Sequence, residues 1–122
     1  MTDAFRRDID AMYAQAAQAD SLPALIPALG SMLRRNRDSL GGVSYAYRIT
    51  ASDTGYNYAF ALAEGEYAEL PPTAPVDVVV SGREANLLAV FQRKLNPATA
   101  LLLQKIKVEG SMAALTKLAA FL

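Results

Sequence analysis

Two stretches of the chain alternate between bulky apolar residues and small or polar ones, as the side chains of a half-buried β-strand do. Residues 43–49 and 56–62 both show this alternation, and their bulky residues fall on one face: Val43, Tyr45, Tyr47, Ile49, Tyr56, Tyr58, Phe60 and Leu62. A turn signal, Asp53-Thr54-Gly55, separates the two stretches. The pattern therefore predicts an antiparallel hairpin with one bulky face and one small face.

The N-terminal part of the chain shows helical spacing instead. Apolar residues recur at intervals of three and four over residues 3–19 and again over residues 24–37, where Pro27 must either lie in the first turn of the second segment or kink it. We therefore expect two amphipathic helices in residues 1–38, packed on an α+β domain that comprises residues 39–122. A length of 122 residues suits one domain overall.

The C-terminal half alternates strand and helix signals. Strands are expected near residues 67–70, at the valine-rich residues 76–81 and from Ile106, and helices over residues 83–95, from Asn96 and from Met112. Asn96 is suited to cap a helix, and Pro97 to occupy its first position, where the missing N–H would have no partner. These elements predict an α+β fold in which helices cover a five-stranded sheet largely on one face.

An ordered set of motifs in this half resembles the sterol-carrier-protein domains, which are small non-specific lipid-transfer modules. The motifs are an Asp-bearing strand, a helix ending in Lys-hydrophobic-Asn-Pro, a Lys-hydrophobic-Lys strand, a Gly turn and a Met-led helix. They stand here as Val76-Asp77-Val78, Lys94-Leu95-Asn96-Pro97, Lys105-Ile106-Lys107, and Gly110-Ser111-Met112. The resemblance spans roughly residues 33–122. It implies a mostly antiparallel five-stranded sheet and an apolar tunnel between sheet and helices, in a protein of the bacterial stand-alone type.

A set of apolar side chains is the candidate ligand-binding wall of that tunnel: Phe60, Leu87, Leu88, Phe91, Leu95, Leu101, Leu102, Leu103, Met112 and Leu115. The same residues are equally suited to a filled core, and the sequence alone leaves both interpretations open because a cavity and a core use the same side chains. The resemblance favours the tunnel.

The chain departs from the family pattern at two places. Many relatives carry Gln and then Gly where this chain has Leu103 and Gln104, so we expect a drier tunnel and a Leu103→Gln substitution that changes ligand preference more than stability. Relatives often continue beyond the point corresponding to Leu122. An exposed patch of Leu118, Phe121 and Leu122 would then favour a homodimer, unless the N-terminal helices cover it.

Composition removes several classes of function. The chain has no Cys and no His, so it offers no thiol nucleophile, no Ser-His-Asp arrangement and neither of the usual zinc ligands. Its net charge of +0 argues against non-specific nucleic-acid binding, which needs a surplus of basic residues. We expect no catalysis, no metal and no cofactor.

The expected location is the cytoplasm, because residues 1–20 carry charges unlike a signal peptide and no apolar run approaches the ~20 residues of a membrane span. The leading hypothesis is a carrier of a lipid or another hydrophobic small molecule. The alternatives are an accessory factor that presents lipophilic quinone-biosynthesis intermediates to membrane-associated enzymes, an enzyme, and an oligomerisation module without ligand. Transient membrane contact through the basic residues 34–37 is a further expectation.

Overall fold

The alternating stretches form the centre of a five-stranded sheet in the computed structural model, which describes residues 3–120. Its strands are β1 (Tyr45–Ala51), β2 (Asn57–Ala63), β3 (Glu66–Leu70), β4 (Val78–Gly82) and β5 (Ile106–Gly110). They lie in the order β3-β2-β1-β4-β5, and only the β1–β4 pair is parallel. The expected five-stranded, mostly antiparallel sheet is confirmed, and the parallel β1–β4 pair makes it a mixed one.

Within residues 3–120, five helices accompany the sheet: α1 (Asp3–Ala16), α2 (Leu22–Arg35), α3 (Glu84–Phe91), α4 (Pro97–Leu102) and α5 (Met112–Ala119). The Asn96 side chain caps α4 by accepting the N–H groups of Ala98 and Thr99 at 2.8 and 3.2 Å. The helix α3 ends at Phe91 and not at residue 95, because Arg93 adopts a left-handed φ of 58° that turns the chain.

Pairing register gives the sheet one bulky face and one small face. On the bulky face, the rings of Tyr47, Tyr58 and Tyr67 stack on Phe60 at centroid distances of 5.2, 5.3 and 5.8 Å. Arg48 alternates with these residues along β1, and its guanidinium donates to the Ala74 carbonyl from the opposite face. The connection between β3 and β4 therefore crosses the small face of the sheet. The helices lie on the bulky face.

The two N-terminal helices cover one half of the bulky face. Their apolar sides are buried, with Phe5 and Leu22 fully excluded from solvent, and α2 contacts β3. Gln92, just after α3, donates from its side chain to the carbonyls of Ala16 and Ala19 at 2.9 and 2.8 Å. These two hydrogen bonds connect the C-terminal end of α1 to the segment between α3 and α4. The division of the chain near residue 38 stays a prediction.

Gly110 ends β5 in a place that admits no side chain. Its φ is 106°, and a Cβ there would lie 2.3 Å from the carbonyl oxygen of Asp77, whereas Gly55 has a φ of 77° with no heavy atom near its Cβ position. We expect Gly55→Ala to lower the free energy of unfolding by about 1 kcal/mol through its left-handed backbone. We expect Gly110→Ala to lower it clearly more, because backbone atoms must also move apart. Urea unfolding of both variants measures the difference, and equal losses would contradict this account.

Candidate functional site

A cavity of about 520 Å³ lies between the bulky face of the sheet and the helices α3, α4 and α5. Its floor comes from four neighbouring strands, which contribute six apolar side chains: Tyr47, Ile49, Phe60, Val80, Ile106 and Val108. Tyr13 of α1 and Leu29 of α2 close the side towards the N-terminal helices. The volume falls within the range of about 300–1,000 Å³ that small-molecule sites occupy.

Six of the ten candidate residues lie on the wall of this cavity: Phe60, Leu87, Phe91, Leu95, Leu101 and Leu115. Leu87 is 2% exposed and Leu101 is 37% exposed, so the wall runs from the interior to the surface. A contact between these side chains and a ligand remains a prediction.

The structure places the other four candidates outside the cavity wall. Leu88 is half-buried and packs against the core, whereas Leu102, Leu103 and Met112 are 81%, 57% and 55% exposed. The cause in α4 is its single turn and a half, where Ala100 is buried against the sheet, Leu101 reaches the edge of the cavity, and Leu102 and Leu103 point into solvent. Leu103 therefore does not make the cavity drier, and a Leu103→Gln substitution is not expected to act through the wall.

Several wall residues were not among the candidates. Val80, Ile106 and Val108 share the face of Phe60 through the strand register, so strand alternation was a usable signal for them. Tyr13 and Leu29 had no such signal, because their place at the cavity depends on how α1 and α2 dock.

The outer rim of the cavity is basic. Arg93, Lys94 and Asn96 line it and are all exposed. The guanidinium carbon of Arg93 lies 3.6 Å from the ring centroid of Tyr13, a cation–π contact that joins α1 to the α3–α4 connection. The cavity therefore combines an apolar interior with cations at its surface end.

Tyr47 holds α5 over the cavity. Its buried hydroxyl donates to the carbonyl of Ala114 at 2.7 Å, and α5 contributes Leu115 and Leu118 to the wall. Burial raises the pKa of Tyr47 to about 12, with smaller contributions from Tyr45 and Asp77. A tyrosine with a raised pKa and an occupied hydroxyl is poorly suited to proton transfer at neutral pH.

The acidic residues of the described part of the chain lie away from the cavity and form no cluster suited to a metal ion. Among residues 3–120, those that line the cavity include no carboxylate, and no group of Asp and Glu side chains in this range is placed to hold a metal ion. No helix within these residues is long and apolar enough to span a bilayer.

The C-terminal patch expected from the sequence is only partly described. Leu118 is 9% exposed and faces the cavity, so it is not part of an exposed patch. Phe121 and Leu122 lie outside the described residues, and the homodimer stays a prediction.

Comparison with known proteins agrees with the fold. The model of the SCP-2 sterol transfer family matches residues 28–122, and the chain belongs to that family. Among curated proteins, no relative of the chain was found.

Solved structures share the fold at low sequence identity. Sterol carrier protein 2 like 2 from Aedes aegypti has a TM-score of 0.57 at 18% identity, over 96% of this chain and 94% of its own. UbiJ-SCP2, a ubiquinone synthesis protein, has a TM-score of 0.54 at 12% identity, over 97% and 91%. The sec-alkylsulfatase Pisa1 from Pseudomonas sp. has a TM-score of 0.62 at 22% identity over 77% of this chain, which corresponds to only 15% of the sulfatase.

The Tyr47 hydroxyl makes a pH-dependent contribution to stability. The unfolded chain releases the Tyr47 proton near its ordinary pKa of 10.0, whereas the folded protein holds it until about 12. This contribution is therefore fully present below pH 10 and is lost as the pH rises towards 12. We expect Tyr47→Phe to cost about 1 kcal/mol at neutral pH through the lost hydrogen bond and to weaken the fall in stability between pH 10 and 12.

Urea unfolding of wild type and Tyr47→Phe across this pH range checks the prediction. Tyr56 and Tyr58 also have raised pKa values because of burial, so the fall is reduced and not abolished. An unchanged pH dependence in the variant would contradict it.

Proposed function

We propose that this domain binds and carries a hydrophobic ligand, such as a fatty acyl chain or a sterol-like ring system, without chemistry of its own. The observation that carries the proposal is the apolar cavity of about 520 Å³ between the sheet and the helices. Membership in the SCP-2 sterol transfer family supports lipid binding or transfer as the general role.

The energy available from this cavity is sufficient without a polar anchor. Burial of each CH₂ group contributes about 0.8 kcal/mol, so a sixteen-carbon chain offers roughly 12 kcal/mol before costs. Association and ordering remove several kcal/mol of this, and micromolar affinity requires only about 8 kcal/mol. We therefore expect the domain to discriminate only weakly between ligands, because most of the binding free energy depends on the buried apolar area and little of it on the headgroup.

The absence of catalysis is part of the proposal. The interior of the cavity presents aliphatic and aromatic side chains, Arg93, Lys94 and Asn96 line only its outer rim, and the buried Tyr47 hydroxyl is engaged by the Ala114 carbonyl. The likeness to a sulfatase concerns a small part of that enzyme. A hydrolytic role usually relies on a Ser, Thr or Asp nucleophile or a carboxylate base, and the described residues on the wall include no Ser, Thr, Asp or Glu.

A narrower form of the proposal makes the domain an accessory factor that presents lipophilic quinone-biosynthesis intermediates to membrane-associated enzymes. The supporting observation is that the ubiquinone synthesis protein aligns with this chain over nearly the full length of both. A prenyl tail would use the same apolar wall as an acyl chain. Mass spectrometry of the compounds extracted from the purified protein distinguishes a prenylated intermediate from a fatty acyl ligand.

Two residues of α5 provide a matched test of the cavity. Leu115 lines the wall, whereas Met112, three residues earlier on the same helix, is exposed and lies outside it. A Leu115→Trp side chain occupies space that the ligand needs, and we expect binding of a fluorescent fatty acid to weaken on the order of tenfold. Met112→Trp adds the same bulk to the surface and should leave the affinity within about twofold.

Fluorescence titration gives the affinities, and thermal unfolding shows whether both variants remain folded. Equal affinities for wild type and a folded Leu115→Trp would place the ligand elsewhere, and no measurable binding by wild type would remove the carrier role.

A further inference from the structure

The outer edge of α4 exposes three consecutive leucines beside the cavity. Leu101, Leu102 and Leu103, here called the leucine triplet, are the exposed large aliphatic side chains in the described residues, apart from Met112. Leu101 also lines the cavity rim together with Leu95 and Pro97. Large exposed apolar clusters on a small domain typically mark an interaction site, because leaving them in water is unfavourable.

The segment of chain that carries the leucine triplet has only basic charged residues. Residues 85–108 contain Arg93, Lys94, Lys105 and Lys107 and no acidic residue, although the whole chain has a net charge of +0. Lys94 lies three residues before α4 begins and Lys105 three residues after it ends, and both side chains are exposed. Within residues 3–120, neither forms an ion pair with a carboxylate. The leucine triplet is thus flanked along the chain by two lysines that have no carboxylate partner among the described residues.

The other basic cluster of the protein is engaged differently. Arg34 stacks over the Tyr67 ring at 4.9 Å, Arg35 pairs with Asp8, and Arg37 pairs with Glu66. Two of these three cations therefore have a carboxylate partner, and the third lies over an aromatic ring. Lys94, which has no such partner among residues 3–120, lies instead at the cavity rim.

We infer that the leucine triplet and the flanking Lys94 and Lys105 form a docking surface for an anionic lipid bilayer. The apolar side chains enter the interface while the cations contact the headgroups, the combination that peripheral membrane segments use. Charge complementarity favours a lipid surface over an apolar protein groove, which would have no use for the surrounding cations. The inference rests on the proposed carrier function and assigns the surface through which the ligand is exchanged.

Docking at this surface would place the cavity rim against the bilayer. Leu101 belongs to both the leucine triplet and the rim, and Lys94 and Leu95 line the same edge. A hydrophobic ligand would then pass between bilayer and cavity with little exposure to water. That path avoids the unfavourable hydration of its apolar surface.

The test is flotation of the intact protein with vesicles. Phosphatidylcholine mixed with phosphatidylglycerol supplies the anionic surface, and phosphatidylcholine alone supplies the neutral one. We expect wild type to bind the anionic vesicles, to bind neutral ones much more weakly, and to lose binding in about 1 M salt, where the Debye length is about 3 Å.

Three variants separate the apolar and the charged contributions. Leu102→Gln with Leu103→Gln removes apolar contact, and Lys105→Glu reverses one charge; each should weaken binding on the order of tenfold. Met112→Gln is the matched control, because it removes an exposed apolar side chain outside residues 85–108, and it should bind like wild type. All four positions lie off the cavity wall, so fatty-acid binding in solution should persist in every variant.

Three results would overturn the inference. The first is failure of wild type to float with anionic vesicles. The second is equal loss in Met112→Gln and in the leucine double variant. The third is a wild-type dimer in light scattering that the double variant converts to a monomer, since a second copy would then cover the leucines. Failure of the proposed function would appear separately, as absent fatty-acid binding in solution.

Discussion

The bulky face of the sheet is the constraint on which the rest of the structure depends. Tyr47, Phe60 and their neighbours form an apolar surface across five strands, and water must be kept from it. The helix α2 meets it closely on the β2–β3 side, where Gly30 lies close to the Tyr58 and Tyr67 hydroxyls, and α1 packs on α2. On the other side, α3 to α5 stand over the sheet and leave a cavity.

The geometry of α3 and α4 explains why that side is not filled. The left-handed Arg93 ends α3 early, and the Asn96 cap starts α4 in a new direction. A six-residue helix has room for few inward side chains, and here Ala100 is the buried one. The small Ala100 at the inward position leaves space above the strands, Leu101 lines the edge of that space, and Leu102 and Leu103 point outward.

The sequence predicted the sheet well and the cavity wall only in part. The side chains of a strand alternate between its two faces with a fixed period of two. The local sequence pattern was therefore enough to place Tyr47 and Phe60 on the same face of the sheet. The outward orientation of Leu102 and Leu103 was missed because an uninterrupted run of apolar residues has no helical phase. The place of Tyr13 at the cavity depends on docking between distant segments, for which the sequence carries no local signal.

The central claim is that a guest molecule occupies the space between the sheet and α3 to α5. The most direct measurement is a methyl-labelled nuclear magnetic resonance titration with palmitate, with contacts detected between ligand and protein. The account predicts contacts to Leu87, Ile106 and Leu115 on the cavity wall. Contacts confined to the exposed Leu102 and Leu103, or a spectrum that palmitate leaves unchanged, would contradict it.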